Sequence, residues 1–212
     1  TRFDDKPPHL NKDGRTRMYN AAVIVQNGKY ANRINSNSPL PPGIQPKTLL
    51  PNYRFFDDQR YFFSLSDVAM DYGVSHETLI SPYLIQVGDK HVPVGFEVCE
   101  DLWCQDYRKD GKTLNVSRLL IENGAELIVN ISASTWTYLK HDARDRRVLF
   151  LAEESKGHFV PFYYVNNVGP QNNGKNIVTF DGGSTVYNKE GKPCLISEKF
   201  FEEDLLIVDH QK

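Results

Sequence analysis

The run His91-Val-Pro-Val-Gly-Phe-Glu-Val-Cys99-Glu-Asp-Leu-Trp103 decides how this chain folds. Up to Cys99 it is valine-rich and alternating, the pattern of a β-strand. Tyr83–Val87 precedes it as a second strand, with Gly88-Asp89 as the turn between them. The later strand therefore delivers Cys99 to its C-terminal end. In α/β proteins that end is the rim of the sheet, where binding sites collect. A thiol there stands half out of the core. As a thiolate it can attack an amide carbonyl to give a thioester. Its proton then needs an acceptor, and its pKa needs a nearby cation to lower it. A cysteine closing a strand is still more often a packing residue, so position alone leaves Cys99 open between core and chemistry. Cys99 and Cys104 make a poor metal pair. Their spacing is loose, and no second cysteine pair or clustered histidine accompanies them.

Downstream, Val116, Leu119 and Leu120 share one helical face and predict a helix from about Leu114 to Asn123, with Asn123-Gly124 as its stop. Leu127 to Ile131 is a short apolar run, as a buried strand would be. Ser132 to Thr135 reads as a loop. A second helix is expected from His141 to Lys156, stopped by Gly157, and then a strand from Phe159 to Asn166. Gly182-Gly183 and Glu190-Gly191 mark turns between the last short strands. Strand, helix, strand, helix, strand implies an α/β fold with a sheet covered by helices. Upstream, Tyr19 to Gln26 reads as a strand and Asn27-Gly28 as a hairpin turn. Residues 34–46 read as a loop. Tyr53, Phe55, Phe56, Tyr61 and Phe62 are expected to form an aromatic wall of the core. Arg146 and Arg147 are expected on a solvated helix face.

A chain of 212 residues suffices for one domain, burying roughly 70% of its unfolded surface. With 25% charged residues and a net charge of −2, it offers no basic stripe for nucleic acid. Its apolar runs fall far short of the ~20 residues that span a bilayer, and Thr1-Arg2-Phe3-Asp4-Asp5 is no secretory signal. The first residue is not Met, as in a piece of a larger gene product. Three cysteines are no disulfide framework, so a reducing cytoplasm is the expected compartment.

Gly95-Phe-Glu-Val-Cys99-Glu-Asp-Leu-Trp103 resembles the nucleophile motif of the nitrilase superfamily of carbon–nitrogen hydrolases. Its Cys-Glu-Asp-Leu-Trp form looks like that of the glutamine-hydrolysing domain of NAD synthetases. Lys47-Thr-Leu-Leu-Pro-Asn-Tyr53, followed by Phe56-Asp-Asp-Gln-Arg60-Tyr-Phe62, resembles the lysine motif of that subfamily. Asn130-Ile-Ser-Ala-Ser134, Asp145-Arg-Arg147 and Phe180-Asp-Gly-Gly-Ser184 follow in the matching order. The likeness runs over about residues 17–209.

The resemblance implies a nitrilase-like α-β-β-α sandwich across residues 1–212. It implies that Cys99 attacks the side-chain amide of glutamine through a thioester. The ammonia released would pass to a synthetase domain that amidates deamido-NAD. Lys47 would sit beside the thiol, where an ammonium favours the thiolate and the developing oxyanion. The backbone N–H of Glu100 would be the other oxyanion donor. Tyr53, Glu100, Ser134 and Lys140 would hold the glutamine α-amino and α-carboxylate groups. Lys140 stands where some relatives carry arginine, giving a point charge in place of a fork. No cofactor is implied for this domain. ATP and Mg belong to the synthetase domain, whose Ser-Gly-Gly-Xaa-Asp-Ser loop is not found here. Self-association is implied as well. The alternatives are another amidase or carbamoylase of the same superfamily, or a non-catalytic fragment with a structural role.

The family's third catalytic residue is a glutamate base placed before the lysine. No glutamate precedes Glu77, and Asp4, Asp5 and Asp13 lie in a loop-like stretch that does not match. Glu97 belongs to the nucleophile motif. Two residues before Cys99, it is expected on the same face of the strand. The resemblance thus implies that the domain's first strands and helices lie outside residues 1–212. Without its base, the chain alone would lose about 10²–10⁴-fold or more in turnover.

Overall fold

Three apolar runs, Lys90–Val98, Leu127–Ser132 and Phe162–Asn166, form the parallel centre of a six-stranded sheet. The helices Val116–Glu122 and Lys140–Glu154 make the two crossovers between them. Antiparallel strands close the edges, Tyr83–Val87 on one side, Thr185–Tyr187 and Pro193–Ile196 on the other. The computed structural model describes residues 14–109, 112–172, 174 and 176–209. Asp4, Asp5 and Asp13 lie outside the described residues.

Local chemistry explains each crossover. Asn115 caps the first helix, its side chain accepting from the Arg118 N–H at 2.9 Å. Val116, Leu119 and Leu120 are buried against the sheet. Gly95 on the central strand lets this helix lie close, since a Cβ there would stand 2.9 Å from Leu120 Cδ1. Gly124, at φ +89°, ends the helix in a backbone region that favours glycine. The second helix buries Arg144, Val148, Leu151 and Ala152. These helices, with Leu65–Tyr72, cover one face of the sheet in a core that includes Leu65, Leu79, Leu102, Leu120, Ile128, Leu151 and Phe162. On the other face a smaller cluster packs Ala22, Ile24 and Ala31 against Tyr83 and Val98.

Several expectations are corrected. Within residues 34–46, Ile44–Pro46 is a strand, paired antiparallel with Ala21–Val23 and fully buried. The Tyr19 to Gln26 run breaks at Ile24, whose N–H donates to Gly43 and whose carbonyl accepts from Ala31. A hairpin then turns through Asn27-Gly28. The strand expected from Phe159 begins at Phe162, and Phe159 instead stacks on the Phe162 ring. Arg146 is exposed, but Arg147 is half-buried with its guanidinium 5.3 Å from the Trp103 ring.

The buried arginine of the second crossover is Arg144. Its Nη2 donates to both carboxylate oxygens of Asp181, at 2.9 and 3.1 Å, and the guanidinium lies 4.8 Å from the Tyr164 ring. Asp181→Asn would leave that cation buried without its counter-charge. A loss of about 3–5 kcal/mol is expected, read as a lower urea midpoint. An unchanged midpoint would contradict this account.

Candidate active site

The central strand ends at Val98, and Cys99 opens a 3₁₀ turn that runs to Leu102. Cys99 takes φ +48°, a left-handed backbone that is strained for a non-glycine residue. Three peptide N–H groups hold this turn through one buried carboxylate. Asp101 Oδ1 accepts from Thr48 N at 2.9 Å and Leu49 N at 2.7 Å, and Oδ2 accepts from Val98 N at 3.0 Å. The segment that carries Lys47 is thereby fastened to the segment that carries Cys99.

The left-handed step also breaks the strand's alternation. Glu97 was expected on the face of Cys99. It points instead beneath the helix Val116–Glu122, where its carboxylate accepts from the Ser117 hydroxyl at 2.5 Å and from Asn130 Nδ2 at 3.1 Å. Cys99 packs with Phe96 and Val98 on the opposite side.

Lys47 is buried, and its Nζ donates to Asp58 Oδ2 at 2.7 Å. With Cys99 and Asp58 it lines a cavity of about 830 Å³ over the sheet rim. Ile131 and Val165, paired on adjacent strands, form part of its floor. Phe55, Phe56 and Tyr61 also line it. The expected aromatic wall of the core is therefore corrected: Tyr53 and Tyr61 are 44% and 39% exposed, and Phe55 and Phe56 are half-buried. Phe55, Phe56 and Tyr61 line the cavity because residues 51–62 form a turn and the short helix Asp58–Tyr61 instead of joining the sheet.

A second recess adjoins Cys99 and is lined by Tyr53, Glu100, Trp103, Ser134 and Lys140. Glu100 is pinned by two phenols, accepting from the Tyr53 hydroxyl at 3.1 Å and from the Tyr107 hydroxyl at 3.0 Å. Lys140 Nζ sits 4.3 Å over the Trp103 ring, a contact that attracts a cation. Ser134 is fixed by Asn166, which accepts from its N–H at 2.9 Å and donates to its carbonyl at 3.2 Å. The structure thus brings Cys99, Lys47, Glu100, Tyr53, Ser134 and Lys140 around one point of the rim. Asp58, Asp101, Tyr107, Trp103 and Asn166 hold them there and were not foreseen as parts of the site.

Burial pushes the Cys99 thiol above its usual range, and this outweighs the downward pull of Lys47, the Ala133 N–H and Ser132. Burial likewise raises Glu100, against the pull of Tyr107, Tyr53, Lys47 and Lys140. Lys140 is lowered, first by burial and then by Arg144. Cys104 is wholly buried and pushed up to about 12, so its thiol is inert. Cys194 is exposed and, like the other two cysteines, unbridged. Among the described residues, no group of three or more His, Cys, Asp or Glu side chains could hold a metal ion. Among them, too, no helix is long and apolar enough to cross a membrane.

No protein-family model matches the chain. A glutamine-dependent NAD(+) synthetase of Synechocystis is 31% identical over 207 residues, which cover 96% of this chain and 31% of that protein. Among solved structures, the glutamine-dependent NAD+ synthetase of Acinetobacter baumannii, bound to ADP, superposes with a TM-score of 0.60 at 24% identity. The match covers 93% of this chain and 29% of that one. A carbon–nitrogen hydrolase of Helicobacter pylori superposes at 0.51 with 21% identity, over 76% of this chain and 50% of that one. The two structures share the fold. The chain spans about a third of the length of the synthetase relatives it matches.

The buried Glu97 gives a test of this geometry. Burial raises its carboxyl from the ordinary 4.5 to about 7. A raised carboxyl favours the folded state below the unfolded value, and that contribution is lost as pH rises through the folded one. Asp101, raised to about 6, acts in the same direction. The protein should therefore be more stable to urea at pH 5 than at pH 8. Glu97→Gln should shrink that difference by an amount on the order of 2–3 kcal/mol. An undiminished difference would place the Glu97 carboxylate in water.

Proposed function

Since the chain is homologous along nearly its whole length to glutamine-dependent NAD(+) synthetases and has the carbon–nitrogen hydrolase fold, we propose that it is the glutamine-hydrolysing unit of such an enzyme. The observation that carries this reading is the meeting of Cys99, Lys47 and the Glu100–Lys140 recess at one rim. In this proposal Cys99 Sγ attacks the side-chain amide carbon of glutamine. The thiol proton passes to the departing nitrogen, ammonia leaves, and a thioester forms. Water then cleaves the thioester to glutamate and restores the thiol. Lys47 and the Glu100 N–H stabilise the oxyanion. The α-amino group lies against Glu100 and Tyr53, and the α-carboxylate against Lys140 and Ser134.

The thiol that burial keeps protonated needs a base. Asp58 is engaged by Lys47, and Glu100 by two phenols. By the resemblance that base is a glutamate ahead of the lysine motif, and no residue of this sequence before Glu77 matches it. The ammonia would serve a synthetase domain, where ATP and Mg act. The unit itself needs no cofactor. Cytoplasmic location and self-association belong to the same proposal and rest on the resemblance.

A glutamine-like diazo-ketone tests the site without requiring turnover. Peptide mass spectrometry should find it on Cys99, with protection by glutamine, while Cys104 and Cys194 stay free. Lys47→Met should slow this labelling about 10²-fold. Labelling spread equally over the three cysteines, or none at all, would refute the glutaminase reading.

A further inference from the structure

The recess beside Cys99 holds a charged residue with no role so far. Arg54 lines it together with Tyr53, Glu100, Trp103, Ser134 and Lys140. Arg54 adopts φ +56°, again left-handed, inside a turn closed by the Phe56 N–H on the Tyr53 carbonyl at 3.0 Å. A non-glycine residue held so is over-determined by its surroundings, and such residues cluster at ligand clamps. Charge in the recess is divided. Glu100, between its two phenols, supplies the negative end. Lys140 and Arg54 supply the positive end. Arg54 is close enough for its charge to reach both neighbours: it pulls down on the Tyr53 phenol, which burial raises overall, and adds to the lowering of Lys140, which burial leads. A zwitterionic amino-acid head matches this polarity, whereas a neutral amide brings no charge to either end.

We propose that Arg54 grips the α-carboxylate of the amino-acid substrate alongside Lys140, and so decides for free amino-acid amides against neutral ones. This rests on the glutaminase reading above. Lys140, seated on the Trp103 ring, is a point charge. A guanidinium adds the planar, two-pronged contact that a carboxylate accepts best. The fork missing at position 140 is thereby supplied from the turn that follows Tyr53.

The test compares the full chain with Arg54→Ala and Arg54→Lys, using two probes of Cys99. The glutamine-like diazo-ketone carries the α-amino-acid head; iodoacetamide does not. For Arg54→Ala, the half-saturating diazo-ketone concentration should rise about tenfold or more. Its limiting rate and the iodoacetamide rate should hold. Arg54→Lys should recover only part of the loss. An unchanged half-saturating concentration overturns the role of Arg54 and leaves the glutaminase reading standing. An equal fall with both probes also overturns it, since Arg54 would then only shape the loop. No saturable labelling of the native chain overturns the glutaminase reading and this inference with it.

Discussion

One buried carboxylate ties the two halves of the site together. Asp101 accepts N–H groups from Thr48, Leu49 and Val98, so the Lys47 segment and the Cys99 turn share one anchor. Burying a carboxylate is costly unless it is well bonded, and the three peptide donors offset part of that cost. The anchor also helps to hold Cys99 in its left-handed turn. From that turn, Cys99 faces the cavity and Glu97 faces the helix layer. Were Cys99 extended, both side chains would fall on one face. The buried carboxylate would then share the thiol's surroundings and oppose its ionisation.

The rest of the fold serves this rim. Parallel strands joined by two helices bring the ends of Lys90–Val98, Leu127–Ser132 and Phe162–Asn166 side by side. The residues at or just beyond those ends are Cys99, Ser134 and Asn166, which is where chemistry gathers in a parallel sheet. Arg144 and Asp181 lock the second crossover helix to the late strands. Asn166 bonds both Asp181 and the Ser134 loop, at 3.2 Å and 2.9 Å. The structural ion pair and the recess beside Cys99 are thus one continuous network. The family resemblance and the geometry meet here: the motifs scattered along the chain are the segments that this network joins.

Much of this was legible in the sequence, for definite reasons. The strand ending at Cys99 announces itself because half-buried strands alternate, and the helix Val116–Glu122 because its apolar residues recur on one face. Other features hid behind stronger local signals. Pro41-Pro42-Gly43 makes residues 34–46 look like a loop, and the strand Ile44–Pro46 exists only through long-range pairing with Ala21–Val23. The helix Leu65–Tyr72 carries its own start signal, the reciprocal Ser64–Asp67 cap, but is short. Arg144 lies on the face of Val148 and Leu151 and could have been read as a buried cation. The adjacent pair Arg146 and Arg147 is the more conspicuous polar signal. Glu97 misled because alternation was assumed to continue through Cys99. The site residues themselves came from motif likeness. Their partners Asp58, Asp101 and Trp103 sit within the same motifs, but only the fold shows what they touch.

The central claim is that Asp101 holds Lys47 where its charge acts on Cys99. The most direct measurement is the pH dependence of Cys99 alkylation by iodoacetamide in a double-mutant cycle of Lys47→Met and Asp101→Ala. The account predicts that Lys47→Met raises the apparent pKa of the thiol in the native background and has little effect once Asp101 is replaced. An equal rise in both backgrounds would show that Lys47 reaches the thiol without the anchor, and would contradict the account.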